Sequence, residues 1–215
     1  ARDGLLVDGR VPGRRGLATR QRLLDRTSAM LTTTSYRDLK VVDIAREAGT
    51  SPATFYQYFP DVEAAILVLA EEMALEGSER LIGLVRDGAW DAEHGYATAL
   101  AVADGFIDFW DRHHSVLRVV DLATGEGDRR FQSIRTRLMN EFTVALQEVI
   151  VERQGRPRRD HVDPMATAGV LSAMLAHVSA HRYGFEFWGI RTADVRTAMA
   201  RILYTTVTGD LPPDP

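Results

Sequence analysis

Side chains suited to contacting a DNA duplex lie close together in the stretch PATFYQY. Gln57 can form a bidentate pair with adenine, and the methyl groups of Thr54 and Ala53 can meet those of thymine. Pro52 and Tyr58 fall on the same outward side if this stretch forms a helix. Such a helix would present residues of the kinds that read base edges in a major groove.

The residues around this stretch form the pattern of a helix-turn-helix. Gly49 is the residue type that ends a helix with a positive φ, and Ser51 can cap the helix that follows. Phe55 and Phe59 are predicted to face inward and to pack against Ile44 of the preceding helix. In such a motif the second helix is the one that enters the major groove.

The motif resembles that of the TetR family of bacterial transcriptional regulators. The residues that agree in register are Asp43-Ile44-Ala45, Ala48-Gly49, Ser51, Phe55-Tyr56 and Phe59. The resemblance covers about residues 17–70. It implies that Tyr56 donates its hydroxyl to a phosphate, which positions the helix without reading sequence.

Three positions depart from the family pattern. Lys40 stands where the family usually has a capping threonine that touches a phosphate, and Val62 stands where it usually has a lysine. Ser35 replaces a common turn glycine. We therefore expect one phosphate contact to be lost at Val62 and another to be gained at Lys40.

Charge is distributed unevenly along the chain. Residues 1–60 hold ten Lys and Arg against six Asp and Glu, a net +4, whereas the whole chain has a net charge of −4. Residues 1–16 are predicted to form a flexible basic arm, in which Arg14 and Arg15 either reach a minor groove or only aid solubility. The absence of cysteine and of a long apolar segment predicts a cytoplasmic protein without a membrane span.

The rest of the sequence shows the 3.6-residue periodicity of an all-α protein. Asp61 is expected to cap a long helix, residues 124–128 to form a loop, and Thr192 to cap the last helix. The predicted parts are the arm at 1–16, a helix-turn-helix DNA-binding domain at 17–60, and a ligand-binding and dimerisation domain at 61–215. By the resemblance, helices with small residues such as Gly169 and Ala176 form a dimer interface, although internal packing would explain them equally.

Aromatic, Met and His residues on three of the later helices form a candidate ligand pocket. The predicted lining residues are Phe106, Phe109, Trp110, His114, Met139, Phe142, Met174 and His177. Plain core packing is an equal alternative for them. The pairs His113-His114 and His177/His181 suggest a metal site, but no carboxylate accompanies them as in a His-Glu-x-x-His motif, so pocket, interface or surface positions are favoured.

These features predict a homodimeric, ligand-responsive repressor that is released from a palindromic double-stranded DNA operator by an apolar small molecule. The alternatives are an activator with the same fold, or a helical ligand-binding or interaction protein with weakened DNA binding. The sequence contains no P-loop, dinucleotide-binding or nucleophile-elbow pattern, so it predicts neither a cofactor nor an enzyme.

Overall fold

The computed structural model describes residues 6–154 and 162–212, and within them it is built from α-helices. The helices are α1 (Arg14–Leu31), α2 (Val41–Glu47), α3 (Pro52–Tyr58), α4 (Val62–Arg86), α5 (Gly95–Gly125), α6 (Arg129–Gln154), α7 (Pro164–His181), α8 (Tyr183–Phe187) and α9 (Thr192–Thr208). The all-α prediction is confirmed. In the part of the chain that is described, none of the helices combines the length and hydrophobicity needed to cross a lipid bilayer.

The chain forms two compact units. The first unit contains the residues up to Met73 together with Ser115–Ile134, and the second contains Ala74–His114 and the residues from Arg135 onward. Helices α4, α5 and α6 each contribute residues to both units. The helix-turn-helix lies wholly in the first unit.

The core of the first unit forms between α1, α2, α3 and the start of α4. Its buried members are Leu23, Leu24, Ile44, Ala48, Phe55, Phe59 and Ala65. Phe55 and Ile44 are fully buried, as the pattern predicted, and burying side chains of this size stabilises the fold by about 1.5–3 kcal/mol each. This packing fixes which side of α3 faces outward.

The turn between α2 and α3 has the predicted chemistry. Gly49 has a φ of 66°, and the N–H of Thr50 donates to the carbonyl of Ala45 over 2.9 Å, which closes the end of α2. The Ser51 hydroxyl accepts from the backbone N–H of Thr54 over 3.2 Å. Cap and turn therefore set the direction in which α3 leaves α2.

Several predicted boundaries shift by a few residues. Asp61 caps α4 as expected, since its carboxylate accepts from the N–H of Ala64. The loop predicted at 124–128 begins after Gly125, because Thr124 and Gly125 still belong to α5. Arg191, rather than Thr192, occupies the cap position of α9. Arg191 also forms an ion pair with Asp194, which lowers the pKa of that carboxyl below its usual range.

The beginning of the first helix also differs from the prediction. Helix α1 starts at Arg14, so Arg14 and Arg15 belong to it and not to a flexible arm. Residues 6–13 form a turn that precedes the helix, and the first five residues of the predicted arm lie outside the described part of the chain.

The second unit has an aromatic core. Phe106 of α5 and Phe142 of α6 meet edge to face, with ring centroids 4.8 Å apart. Helix α6 also contacts α7 through the hydroxyls of Thr143 and Ser172, which lie 2.9 Å apart. The short helix α8, which sequence periodicity did not indicate, connects α7 to α9.

Candidate functional site

The outer face of α3 is exposed to solvent. Ser51, Ala53, Tyr56 and Gln57 are exposed, while Pro52 and Thr54 are half-buried. Phe55 and Phe59 on the opposite side are buried against the core. The structure thus brings the predicted base-reading residues together on one free helix face.

The side chains of two residues on this face already make contacts within the protein. The Thr54 hydroxyl lies 3.0 Å from that of Ser51, so its methyl group remains the free part of the side chain. Tyr58 is half-buried and packs against the core of the first unit. A Cβ added at Gly16 would come within 3.3 Å of the Tyr58 hydroxyl, which shows how closely α1 approaches it. Tyr58 is therefore less available for a groove than predicted.

Lys40 and Tyr56 line one shallow depression on the first unit, whose other members are Tyr36, Leu39, Val41, Val42, Asp61, Val62 and Glu63. Lys40 is the exposed N-cap residue of α2, and its side chain forms no capping hydrogen bond. A lysine and a tyrosine hydroxyl beside a recognition helix form a suitable phosphate contact.

The acidic residues of this depression are already engaged. The Asp61 carboxylate caps α4, and Glu63 forms an ion pair with Arg130 at the start of α6. Arg130 also binds Asp128 over 2.6 Å, and this hydrogen bond lowers the pKa of Asp128 and raises that of Arg130. Because the ion pair with Arg130 neutralises Glu63, a phosphate near Lys40 would meet less electrostatic repulsion.

The segment before α1 is attached to the recognition helix, which the sequence did not indicate. The N–H of Val7 donates to the carbonyl of Gln57 over 2.9 Å, and the N–H of Leu6 donates to the carbonyl of Arg10. Asp8 accepts hydrogen bonds from the backbone and the guanidinium of Arg10, which lower its pKa. The exposed Arg10 therefore belongs to a short segment that is attached to the end of α3 through Val7. No periodicity or motif signals a contact of this kind.

The predicted ligand residues lie on α5, α6 and α7 of the second unit, and they differ in burial. Phe106, Phe109 and Phe142 are buried, and Trp110, Met139 and Met174 are half-buried. The Phe109 ring fills the space beside Gly77, where an added Cβ would approach it to 2.5 Å. These contacts fit both readings, a pocket lining and a plain core.

The histidines are placed less uniformly than predicted. His114 is half-buried, and its Nδ1 lies 3.1 Å from the carbonyl oxygen of Asp111. His177 is exposed, and its ring stacks on that of His181 at a centroid distance of 4.1 Å. Within the described ranges, no cluster of three or more side chains is arranged to hold a metal ion.

His113 is a polar group that the predicted pocket lining does not include. Its ring lies 4.8 Å from that of Phe109, and its buried Nε2 lies 3.4 Å from a carboxylate oxygen of Glu76, without hydrogen-bond geometry. Arg112 binds the same Glu76 over 2.9 Å. The neighbouring His114 is also half-buried, and the two histidines differ in their contacts, since only His113 lies beside Phe109 and Glu76.

Apolar side chains are also exposed on α7, α8 and α9. On α7 Val170 is 71% exposed, and next to α8 Trp188 is 72% exposed. The others are Met165, Tyr183, Phe187, Ile190 and Ile202. Gly169 on α7 has no atom within 4 Å of an added Cβ, so its surroundings are open in the single chain. A soluble monomer rarely leaves this many large apolar groups uncovered in neighbouring elements.

Comparison with known families agrees with this geometry. Residues 23–65 match the family model described as bacterial regulatory proteins, TetR family, and residues 81–214 match the one described as the tetracyclin repressor-like C-terminal domain. The second match alone spans more than half of the chain.

Individual relatives support the same assignment. The chain is 24% identical over 197 residues to the HTH-type transcriptional regulator EthR of Mycolicibacterium smegmatis, covering 91% of this chain and 86% of the relative. Its fold is similar to that of the fatty acid degradation regulator FadR from Bacillus halodurans, with a TM-score of 0.65 at 15% identity, covering 93% of this chain and 97% of the other. It is also similar to FadR from Bacillus subtilis in complex with stearoyl-CoA, with a TM-score of 0.66 at 15% identity, covering 87% and 98%.

Proposed function

The chain belongs to the TetR family of bacterial transcriptional regulators, and on that premise we propose that it is a repressor released from its operator by a hydrophobic small molecule. The observation that supports DNA binding most directly is the exposed face of α3 on a buried, capped helix-turn-helix. The proposed DNA-binding domain is residues 17–60, and the proposed ligand-binding and dimerisation domain is residues 61–215.

Each DNA-contacting residue has a role that its position supports. Gln57 reads a base edge, and Ala53 and the Thr54 methyl group contact thymine methyls. Tyr56 and Lys40, which line the same depression, bind backbone phosphates. Pro52 and Tyr58 complete the surface, and Ser51 keeps the first turn of α3 in place.

Binding measurements separate these roles. We expect Tyr56→Phe to weaken binding to every duplex similarly, because a phosphate contact has no sequence information. We expect Gln57→Ala to flatten the preference at one or two base pairs by about 1–3 kcal/mol each. Arg153→Gln, at an exposed position near the end of α6 in the second unit, is a control that should leave both properties unchanged. If Gln57→Ala and Tyr56→Phe have indistinguishable effects on all sequences, the proposed orientation of α3 is wrong.

The proposed homodimer uses the faces of α7 and α9. In the single chain these helices expose Val170, Met165 and Ile202, and a partner would bury them. A helix-turn-helix dimer reads two half-sites about one helical turn apart, so a palindromic operator follows from two-fold symmetry. The mass in solution should be about twice that of the 23.9 kDa chain.

The proposed effector site is the aromatic region of α5, α6 and α7 in the second unit. It consists of Phe106, Phe109, Trp110, His114, Met139, Phe142 and Met174, with His177 at its exposed margin. The stearoyl-CoA in the related FadR structure shows that this fold accommodates a long acyl group in that protein. A long apolar ligand would gain roughly 25 cal/mol per Å² of apolar surface buried.

The effector releases DNA only if it prefers the conformation in which the DNA-binding domains are misplaced. Ala103 is fully buried on α5, so Ala103→Trp should fill the space beside the aromatic residues and abolish the response to long-chain acyl compounds. Operator binding and the circular dichroism of this variant report whether it is folded. A folded Ala103→Trp protein that responds fully would show that the aromatic residues form only core.

A further inference from the structure

A small cavity lies in the first unit, where the end of α1 faces the later part of α5. It has a volume of about 210 Å³ and is lined by Leu31, Thr32, Thr33, Thr34, Ser35, Tyr36, Ser115, Arg118, Val119 and Leu122. We call it the turn cavity, because its first six lining residues lead into the connection between α1 and α2. None of the residues proposed for the apolar effector or for DNA contact lines it.

The turn cavity has one cationic group at its wall. Arg118 is exposed, and it forms no ion pair with an acidic side chain in residues 6–154 or 162–212. Glu126, an acid at the end of α5, is already bound by Arg37 and lies 3.5 Å from the Tyr36 hydroxyl. Asp121, one turn further along α5, has an interaction of its own. The guanidinium of Arg118 is therefore available to an anion, which it can bind through two parallel N–H donors.

Hydroxyl groups line the same cavity as this guanidinium. The hydroxyls of Thr32 and Thr33 donate to the carbonyls of Ala29 and Met30, so in this arrangement a bound carboxylate receives no hydrogen bond from them. Ser115 is a buried residue that lines the cavity. A serine hydroxyl at a cavity wall can donate to an oxygen of a bound ligand.

The remaining wall is apolar. Leu31 and Val119 are buried, and Leu122 is 45% exposed at the rim. Ser115, Val119 and Leu122 follow one another at spacings of four and three, so they share one side of α5. One region of the cavity thus suits a short hydrocarbon segment, and another suits a negatively charged group.

From this arrangement we propose that the turn cavity binds a small amphipathic carboxylate, whose carboxylate group pairs with Arg118 and whose alkyl part covers Val119 and Leu122. The volume is below the roughly 300–1,000 Å³ of sites for drug-sized ligands, so a compound of only a few carbon atoms fits. This site is separate from the proposed effector site of the second unit. Its occupant would contact Thr32–Tyr36, the residues through which α1 is connected to α2.

Hexanoate is a suitable probe, and Arg118→Gln is the decisive variant. Arg118 is exposed, so the variant should fold normally, and Arg129→Gln is a matched control that removes the same charge from an exposed position of the same unit. We expect calorimetric titration to show at least tenfold weaker hexanoate binding for Arg118→Gln and unchanged binding for Arg129→Gln. Uncharged hexanamide should bind at least tenfold more weakly than hexanoate to the unmodified protein.

Amide NMR shifts of the full chain show where hexanoate binds. We expect the largest shifts at Thr32–Tyr36 and around Ser115, and we expect Leu122→Glu, which adds a negative charge at the rim, to abolish them. Shifts confined to the surroundings of Phe142, with full binding to Arg118→Gln, would place the compound in the second unit and overturn the proposal. Equal affinity for inorganic phosphate and hexanoate would overturn the amphipathic ligand class.

Discussion

The left-handed backbone of the turn in the helix-turn-helix can be tested directly, because its glycine has a positive φ and open surroundings. Gly49 has a φ of 66°, and an added Cβ would meet no atom within 4 Å. A Gly49→Ala substitution therefore creates no clash, and its whole effect comes from the backbone. An L-residue in the left-handed region costs about 1–2 kcal/mol.

A second glycine provides a control, because its substitution by alanine should change the stability in the opposite direction. Gly83 lies in the last turn of α4 without a positive φ, and its added Cβ would meet only the Asp87 carboxylate at 3.6 Å. Gly83→Ala should stabilise the protein by about 0.4–1 kcal/mol, because alanine has less conformational freedom to lose on folding. The same chemical change should thus have opposite effects at the two positions.

Urea denaturation followed by circular dichroism measures both changes. For Gly49→Ala we expect a lower midpoint with an unchanged m-value, which indicates lost stability rather than an altered unfolded state. DNA affinity should fall as well, because a relaxed turn changes the direction of α3. If Gly49→Ala is as stable as the unmodified chain, the turn does not have the left-handed geometry and the argument about its direction fails.

Other variants test separate parts of the structure. Phe55→Ala should lower the free energy of unfolding by about 3–5 kcal/mol, measured by urea denaturation, since this ring is fully buried. Ser51→Ala should lower it by about 1 kcal/mol through loss of the cap at Thr54, in the same assay. Val170→Glu on α7 should yield monomers by light scattering, whereas Leu75→Glu on α4, at a similarly exposed position, should remain dimeric. Arg10→Ala should reduce operator affinity and its salt dependence in fluorescence titrations, and unchanged values would show that Arg10 does not touch DNA.

The sequence was most informative where local chemistry determines the structure. Gly49, Ser51 and Asp61 are residue types with specific roles at helix ends, and each has its predicted role. The inward positions of Phe55 and Phe59 followed from helical periodicity. Such features depend on neighbours within a few residues, so a single sequence is sufficient to predict them.

Contacts between distant residues could not be predicted in this way. The hydrogen bond from Val7 to Gln57 joins segments fifty residues apart and involves only backbone atoms, which leave no side-chain pattern. Tyr58 shared the outward position of Gln57 on a helical wheel, but its packing near α1 leaves it half-buried. Likewise, His113 and His114 are equivalent in sequence, and only the fold places one of them beside Phe109 and Glu76.

The predicted ligand residue His177 shows why helical periodicity does not determine a binding site. A helical stripe of aromatic, Met and His residues shows which positions share a side of a helix, but not whether a neighbour covers that side. His177 is exposed in the single chain, whereas Phe142 at a comparable position in its own stripe is fully buried. The ligand experiments, and not the helical pattern, therefore test whether these residues line an effector site.

The central claim is that the exposed face of α3 reads a specific DNA sequence, and selection from a random duplex library with the full chain tests it most directly. We expect enrichment of a two-fold symmetric motif whose half-sites are centred about one helical turn apart. We also expect Gln57→Ala to lose preference at one or two positions in each half-site. A library that yields no enriched motif with the unmodified protein would contradict the claim.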